Sequence, residues 1–228
     1  MRASFLLKTL LSASCVLAPA GDPGSFETGW ISSKPEVRTF RSRSKQWGEG
    51  LYQVAVWKSG TGIEVVMSIL MPDYAKFLQG ALGPDLRPLR SKGVIVIGNQ
   101  VVMEASSAYE GGKARIRTLV KPYDRTTEKE LEAGAQVVDP SLVPLIPRIL
   151  PLKAGAAFSF PALDPVTNSM GSYSLRVVAE EVLKGTACWR AETSSFEGKA
   201  VVWVEKATPH RVLRVETGAQ EGVTELIQ

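Results

Sequence analysis

Short apolar runs separated by glycine-rich turns dominate the chain after about residue 50. Gly98-Asn99 lies between "VIVI" and "QVVME", and Gly111-Gly112 lies between "AYE" and "KARIRTL". These residue pairs tolerate a positive φ, as the two-residue loops of β-hairpins require. The pattern therefore predicts an antiparallel meander. We place its strands near residues 35–42, 50–58, 62–70, 92–97, 100–109, 113–121, 156–161, 171–183, 186–195, 199–206, 211–217 and 222–227.

Two segments between these strands have helical spacing instead. In "MPDYAKFLQGALG", Pro72 suits a first helical turn, and Tyr74, Phe77, Leu78 and Ala81 share one face. In "TTEKELEAG", the threonine and glutamate three residues apart match a capping box, and a glycine follows as a stop signal. We expect a short helix in each segment.

A third segment, "VVDPSLVPLIPRILPLKAGAAFSFP", is apolar but interrupted by Pro140, Pro144, Pro147 and Pro151. Proline breaks both regular helices and central strands, so this segment must cross the sheet rather than join it. Leu142, Leu145, Ile146 and Ile149 fall on one face of a short helix or 3₁₀ turn. We interpret the segment as a plug that fills the core, and the alternative is a lid over a cavity.

The number and length of the strands define the fold class. A meander of about eleven or twelve strands must curl or split into two packed sheets. The chain has 228 residues, 44% of them hydrophobic and 22% charged, which is ordinary for a globular protein. We predict an all-β, mainly antiparallel protein whose curved meander sheet forms a half-barrel or open barrel with one or two short helices. Residues 21–228 would form this single domain.

The first twenty residues have the pattern of a secretory signal peptide. Arg2 and Lys8 flank an apolar run that is too short to span a membrane, and Ala18-Pro19-Ala20 supplies a cleavage site. We therefore expect an exported protein, in the periplasm, with no membrane span in the mature chain. The alternative is a lipid anchor at Cys15, but a lipoprotein signal wants a large aliphatic residue where this chain has Ser12.

Charge and chemistry-bearing residues narrow the functional classes. Without Arg2 and Lys8 the chain has 25 basic against 23 acidic residues, too even a balance to predict nucleic-acid binding. After cleavage Cys188 is the only cysteine, so no intrachain disulfide can form. One histidine cannot build a conventional zinc site, and the sequence has no nucleophile motif of the GxSxG type. We predict no enzymatic activity, no cofactor and no metal.

The only histidine, His210, follows Thr208-Pro209 between two predicted strands. Proline followed by a polar residue is typical of a turn. We interpret His210 as a turn residue rather than a catalytic base.

The second half of the chain resembles an uncharacterised family of bacterial periplasmic proteins. The residues that carry the resemblance are Leu150-Pro151-Leu152 with Gly155, then Gly185, then Trp203-Val204, Pro209 and Val212 to Val215, and more loosely Pro84 to Gly93. The resemblance implies a curved half-barrel similar to periplasmic lipoprotein carriers. It implies no activity, because none is established for that family.

These inferences lead to three hypotheses about function. The first is non-catalytic binding of a hydrophobic or lipid-like ligand in the curved sheet, with Trp203 and Val201 on the concave side. The second is a structural or assembly protein with a self-filled core, which binds an envelope protein through its sheet edges or through the basic stretch from Arg41 to Lys45. The third is a hydrolase that uses carboxylates or a serine. The predicted ligand-binding residues are Trp189, Val201, Trp203, Leu145, Ile146 and Ile149.

Overall fold

The fold is known from a computed structural model, which describes residues 26–60, 62–134, 136–196, 198–218 and 222–227. Fourteen strands, one four-residue α-helix and one 3₁₀ turn at Lys121–Tyr123 lie in these ranges. The strands are β1 (Glu36–Ser44), β2 (Gly48–Ser59), β3 (Gly62–Met71), β4 (Tyr74–Leu82), β5 (Pro88–Ile97), β6 (Gln100–Glu110), β7 (Lys113–Val120), β8 (Arg125–Glu132), β9 (Ala157–Asp164), β10 (Ser169–Leu183), β11 (Thr186–Ser195), β12 (Gly198–Glu205), β13 (Val212–Thr217) and β14 (Gly222–Leu226). The helix, α1, is Ile146–Ile149.

All fourteen strands belong to one antiparallel sheet in the order β8-β7-β6-β5-β4-β3-β2-β1-β14-β13-β12-β11-β10-β9. Two meanders, β1–β8 and β9–β14, are therefore joined side by side where β1 pairs with β14. The sheet does not close into a barrel, because β8 and β9 form its two ends. The predicted all-β, antiparallel, curved fold is confirmed.

The predicted hairpin turns are also confirmed. Gly98 and Asn99 both have positive φ, 53° and 64°, between β5 and β6. Gly111 and Gly112, with φ of 58° and 79°, join β6 to β7 in the same way. A positive φ at both central residues is the geometry that matches the twist of the flanking strands.

The helix predicted in residues 71–83 is wrong, because this segment contains strand β4. It pairs with β3 over its whole length and with β5 on its other side. Leu78 and Leu82 are buried, whereas Phe77 is 44% exposed, which is the alternation of a strand. The helical spacing of its apolar residues was coincidental, and the sheet decided the conformation.

The helix predicted in residues 126–134 is wrong for a similar reason, because this segment is strand β8. Its acidic residues face basic residues of β7 across the ladder, where Lys113 Nζ and Arg115 Nε lie 2.6 and 3.0 Å from the two carboxylate oxygens of Glu130. Opposite charges on neighbouring strands favour pairing. Six helical residues alone would have been marginal in water.

The main hydrophobic core contains residues from both meanders. Val54, Val65 and Leu78 of the first meander belong to one buried cluster with Leu175 and Val202 of the second. Residues of distant strands can share a core only if the sheet curls, so that one face becomes concave. We call the face that carries these residues the inner face and the opposite one the outer face.

The two ends of the sheet approach each other through side chains. Ile116 of β7 and Leu163 of β9 belong to one smaller buried cluster. The hydroxyl of Thr118 on β7 donates to the carbonyl of Pro165, 2.8 Å away, just beyond β9. The interior is therefore enclosed on this side by packing rather than by a strand ladder.

The export prediction rests on residues 1–20, which lie outside the described residues, as does Cys15. In the part of the chain that the structure describes, no helix has the length and apolar character needed to cross a membrane.

Candidate ligand cavity

Residues 136–156 connect β8 to β9 across the inner face, and we call this segment the strap. It contains α1, and the predicted apolar face of its helix is buried: Leu142, Leu145, Ile146 and Ile149 are all at most 4% exposed. These four side chains belong to the main core cluster. The strap therefore fills part of the concave side of the sheet, as the sequence predicted.

The first half of the strap is fixed by a buried carboxylate, Asp139, which is fully buried. Its Oδ2 accepts hydrogen bonds from Ser91 Oγ on β5 at 2.7 Å and from Tyr109 Oη on β6 at 2.5 Å. Its Oδ1 accepts from the backbone N–H and the hydroxyl of Ser141, at 2.8 and 2.6 Å. A buried carboxylate needs such partners to offset the loss of water.

The phenol of Tyr109 is held in its neutral form at this anchor. Burial raises its pKa far above the usual range, and the charge of Asp139 raises it further. Tyr109 therefore remains a hydrogen-bond donor to the carboxylate at any physiological pH. The backbone beside Asp139 adds to the anchor, because Val138 N–H donates to Pro161 O at 2.7 Å and Val138 O accepts from Leu163 N–H at 3.0 Å.

The second half of the strap is fixed by a buried cation, Arg148 of α1, whose side chain is 5% exposed. Its Nη2 donates to Glu36 Oε1 of β1 at 2.8 Å and more weakly to Pro209 O at 3.4 Å. The guanidinium also lies 3.8 Å from the centre of the Trp30 ring. Burial lowers the pKa of Arg148, and Glu36 opposes that shift. The Nε atom of Arg148 is buried without a hydrogen-bond partner.

Between these anchors the strap leaves a cavity of about 220 Å³ under the junction of the two meanders. A cavity of about 150 Å³ holds one benzene, and the pockets of drug-sized ligands measure ~300–1,000 Å³. The volume of this cavity lies between the two. Its apolar lining comes from β1–β3, from β10, β12 and β13 and from the strap: Phe40, Tyr52, Val54, Met67, Ile69, Val143, Tyr173, Ala200, Val202, Val212 and Val215.

The two ends of the cavity differ in chemistry. Three guanidinium groups, of Arg38, Arg148 and Arg211, line one end, which we call the arginine end. Hydroxyl groups line the other, where Ser42 Oγ lies 2.9 Å from Thr224 Oγ1. Arg38 and Ser42 are four residues apart on β1, and a strand rises ~3.4 Å per residue, so the two ends are separated by about 14 Å.

Trp203 and Val201 do not face the cavity, and the prediction that they lie on the concave side is wrong. Trp203 is on the outer face opposite Arg190 and Arg214, whose guanidinium carbons lie 5.9 and 5.4 Å from the centre of its ring. Its indole N–H donates to Glu181 Oε2 at 2.8 Å. The inward residues of this strand are its neighbours, which include Val202.

The other predicted site residues lie inside the curved sheet, but they do not surround one cavity. Trp189 belongs to the main core cluster, with the Lys206 ammonium 4.0 Å from the centre of its ring, and it does not line the 220 Å³ cavity. Leu145 is completely buried in the strap. Ile146 and Ile149 border a second, smaller cavity of about 170 Å³. The structure therefore does not bring the six predicted residues around one site.

Sequence reasoning missed the residues that do line the main cavity. Phe40, Tyr52 and Ile69 lie side by side on the inner face, because Phe40 pairs with Tyr52 and Tyr52 pairs with Ile69. The alternation of β2, in which Tyr52, Val54 and Val56 share one face, was the available signal. Nothing local indicated that this face meets β12 and the strap.

His210 is a turn residue, as predicted, and both of its ring nitrogens are engaged. Nδ1 lies 3.1 Å from Glu205 O, and Nε2 lies 2.9 Å from Glu27 Oε2. Neither nitrogen is left to activate a serine. The described ranges also contain no group of three or more His, Cys, Asp or Glu side chains placed to hold a metal ion.

The fold and the cavity define a class of protein: a curved antiparallel sheet with an internal apolar space closed by a crossing strap. The chain belongs to the family described as "Protein of unknown function (DUF3108)", whose profile matches residues 48–226. The resemblance to an uncharacterised family is confirmed by this match. A comparison with curated proteins found no match.

Proposed function

We propose that this protein is exported and binds, without catalysis, the apolar chain of a lipid-like molecule in the cavity under the strap. The cavity itself carries the proposal, since Phe40, Val54 and Met67 of one meander and Val202 and Val215 of the other surround a space that no side chain fills. Apolar surface removed from water contributes about 25 cal/mol per Å² to binding. A hydrocarbon chain in this space would gain that energy from both meanders.

The size of the cavity favours a single chain. At about 220 Å³ it is below the range of sites for bulky ligands, and the strap occupies much of the remaining inside. The ligand class that fits is a slender amphiphile with one chain, such as a fatty acid or a lysolipid, rather than a diacyl lipid that is enclosed entirely.

A cavity-filling substitution tests the proposal. Val202→Phe and Val215→Phe place a larger side chain into the space, so each should weaken binding of a fluorescent fatty-acid-like probe by tenfold or more. Val201→Phe is the matched control, because it makes the same change one residue away on the outer face. Unchanged binding in both cavity variants, with the folded state intact by circular dichroism, would contradict the proposed site.

The alternative function is a scaffold that acts through its surface, with a core filled by the strap. It is favoured by the complete burial of the strap residues Leu145, Ile149 and Leu150, at 0–1% exposure. Mass spectrometry of solvent extracts from the natively purified protein separates the two candidates. Stoichiometric copurified lipid supports the binding protein. Protein that carries no copurified lipid and does not bind the fluorescent probe supports the scaffold.

A further inference from the structure

We propose that the ligand of the cavity carries an anionic head, a carboxylate or a phosphate, and that this head lies at the arginine end. This inference rests on the proposed function, since it concerns the orientation of a ligand in the same cavity.

The charges around the arginine end are not balanced. Arg38 and Arg148 share one carboxylate, because both contact Glu36 Oε1 at 2.8 Å, and Arg211 is paired with Glu205 at 2.6 and 2.8 Å. Three cations thus face two anions. The guanidinium groups are close enough to act on one another, since the charges of Arg38 and Arg211 both lower the pKa of Arg148.

The excess positive charge of these groups faces the cavity. All three arginines line it, whereas neither Glu36 nor Glu205 does. The Arg148 side chain is 95% buried, and its Nε atom has no hydrogen-bond partner. A buried, unsatisfied donor on a cation is costly, and an anionic oxygen is the partner that suits it best.

Guanidinium groups suit this role because their planar donors match carboxylate and phosphate oxygens. The opposite end offers a different environment. It has the hydroxyl groups of Ser42 and Thr224, and the lysines that line the cavity, Lys76 and Lys199, lie on β4 and β12, apart from the three arginines. An extended chain of roughly 14 Å would reach from the arginines to these hydroxyls.

The test compares three ligands with the same twelve-carbon chain: dodecanoate, dodecyl phosphate and dodecanol. Isothermal titration of the full chain, below the micellar concentration, should show both anions binding about tenfold or more tightly than the alcohol. A preference between carboxylate and phosphate then identifies the natural head. Equal affinity for the anions and the alcohol overturns this inference and leaves the proposed function standing, whereas no binding of any of the three overturns both.

Variants locate the head. Arg38→Gln, which leaves Glu36 paired with Arg148, should remove most of the preference for the anions and leave dodecanol binding unchanged. Arg148→Gln should do the same, and Arg148→Lys should restore part of the preference. Lys76→Gln is the matched control, since Lys76 also lines the cavity but lies on β4, three strands away from Arg38. A preference that survives Arg38→Gln and Arg148→Gln but is lost in Lys76→Gln would overturn the orientation.

Discussion

Ser141 of the strap occupies the space that a side chain on Gly80 would need. A Cβ built on Gly80 would lie 2.0 Å from Ser141 Oγ and 2.3 Å from Ser141 Cβ, far closer than van der Waals contact. Gly80 pairs with Ser91, and Ser91 pairs with Ser107, so a row of small residues on the inner face receives the strap. The strap lies against the sheet here because the sheet carries almost no side-chain volume at this row.

Replacement of Gly80 by alanine should therefore displace the strap. We expect a loss of about 1–3 kcal/mol in the free energy of unfolding, the usual cost of overpacking a filled core. Urea denaturation measures it. Gly171→Ala is the control, because a Cβ there meets no atom within 4 Å, and it should cost nothing or stabilise slightly. Equal stability of the two variants would show that the strap is not seated on Gly80.

Loss of the buried charge of Asp139 should loosen the first half of the strap. Asp139→Asn keeps the shape but turns one acceptor oxygen into a donor that meets hydroxyl or N–H groups. We expect a loss of about 1–3 kcal/mol, the cost of unsatisfied buried polar groups, measured as a shift of the denaturation midpoint. Glu128→Gln, which alters an exposed ion pair with Arg117, should change stability by less than about 1 kcal/mol.

Replacement of Trp203 should lower the stability of the fold without changing its affinity for a ligand. Trp203→Ala removes a side chain that is 8% exposed and donates to Glu181. We expect a loss below the about 3–5 kcal/mol typical of a core tryptophan, because water and the neighbouring arginines can close over the gap. Affinity for the fatty-acid-like probe should not change. A large loss of affinity in a folded variant would mean that the ligand lies on the outer face.

The ion pair between Glu205 and Arg211 predicts a dependence of stability on pH. Hydrogen bonds from Arg211 lower the pKa of Glu205 in the folded protein. The pair therefore contributes its full stability above the unfolded-state pKa of about 4.3, and this contribution is lost as the pH falls through the lower, folded-state value. Glu205→Gln lacks the contribution at every pH. Its deficit relative to wild type should be largest at pH 7 and shrink towards pH 3.

The control for the pH experiment is Glu192→Gln, whose partner Arg176 is exposed. Its deficit should be small and nearly constant across the same range, because exposed ion pairs contribute little. A Glu205→Gln deficit that stays constant or grows on acidification would show that the pair of Glu205 and Arg211 does not stabilise the fold.

The local sequence was a good guide to the turns and a poor one to the faces of some strands. Gly98-Asn99 and Gly111-Gly112 tolerate the positive φ that two-residue hairpin loops require, so these hairpins could be predicted. In β12 every residue from Ala200 to Val204 is apolar, so alternation cannot indicate which face is buried. Register decided it: Trp203 pairs with Arg190 and Arg214 on the outer face.

The cavity could not be predicted because it depends on long-range contacts. The proline pattern correctly predicted a crossing segment with one buried face. Neither the hydrogen-bond partners of Asp139 nor the placement of Phe40 and Val202 around one cavity has a local signature, since each joins separate regions of the sheet. The same is true of the arginine end, where Arg38 comes from β1, Arg148 from α1 and Arg211 from the connection between β12 and β13.

The seam between β1 and β14 has a consequence for the order of folding. Every other strand pairing in the described sheet joins consecutive strands, whereas the hydrogen bond between Ser42 and Thr224 spans 182 residues. Because β1 is synthesised long before β14, the edge of β1 that pairs with β14 remains unpaired while the rest of the polypeptide is synthesised or exported. Local meanders form quickly and distant pairings slowly. We therefore expect the seam, and with it the finished cavity, to be the last part of the protein to assemble.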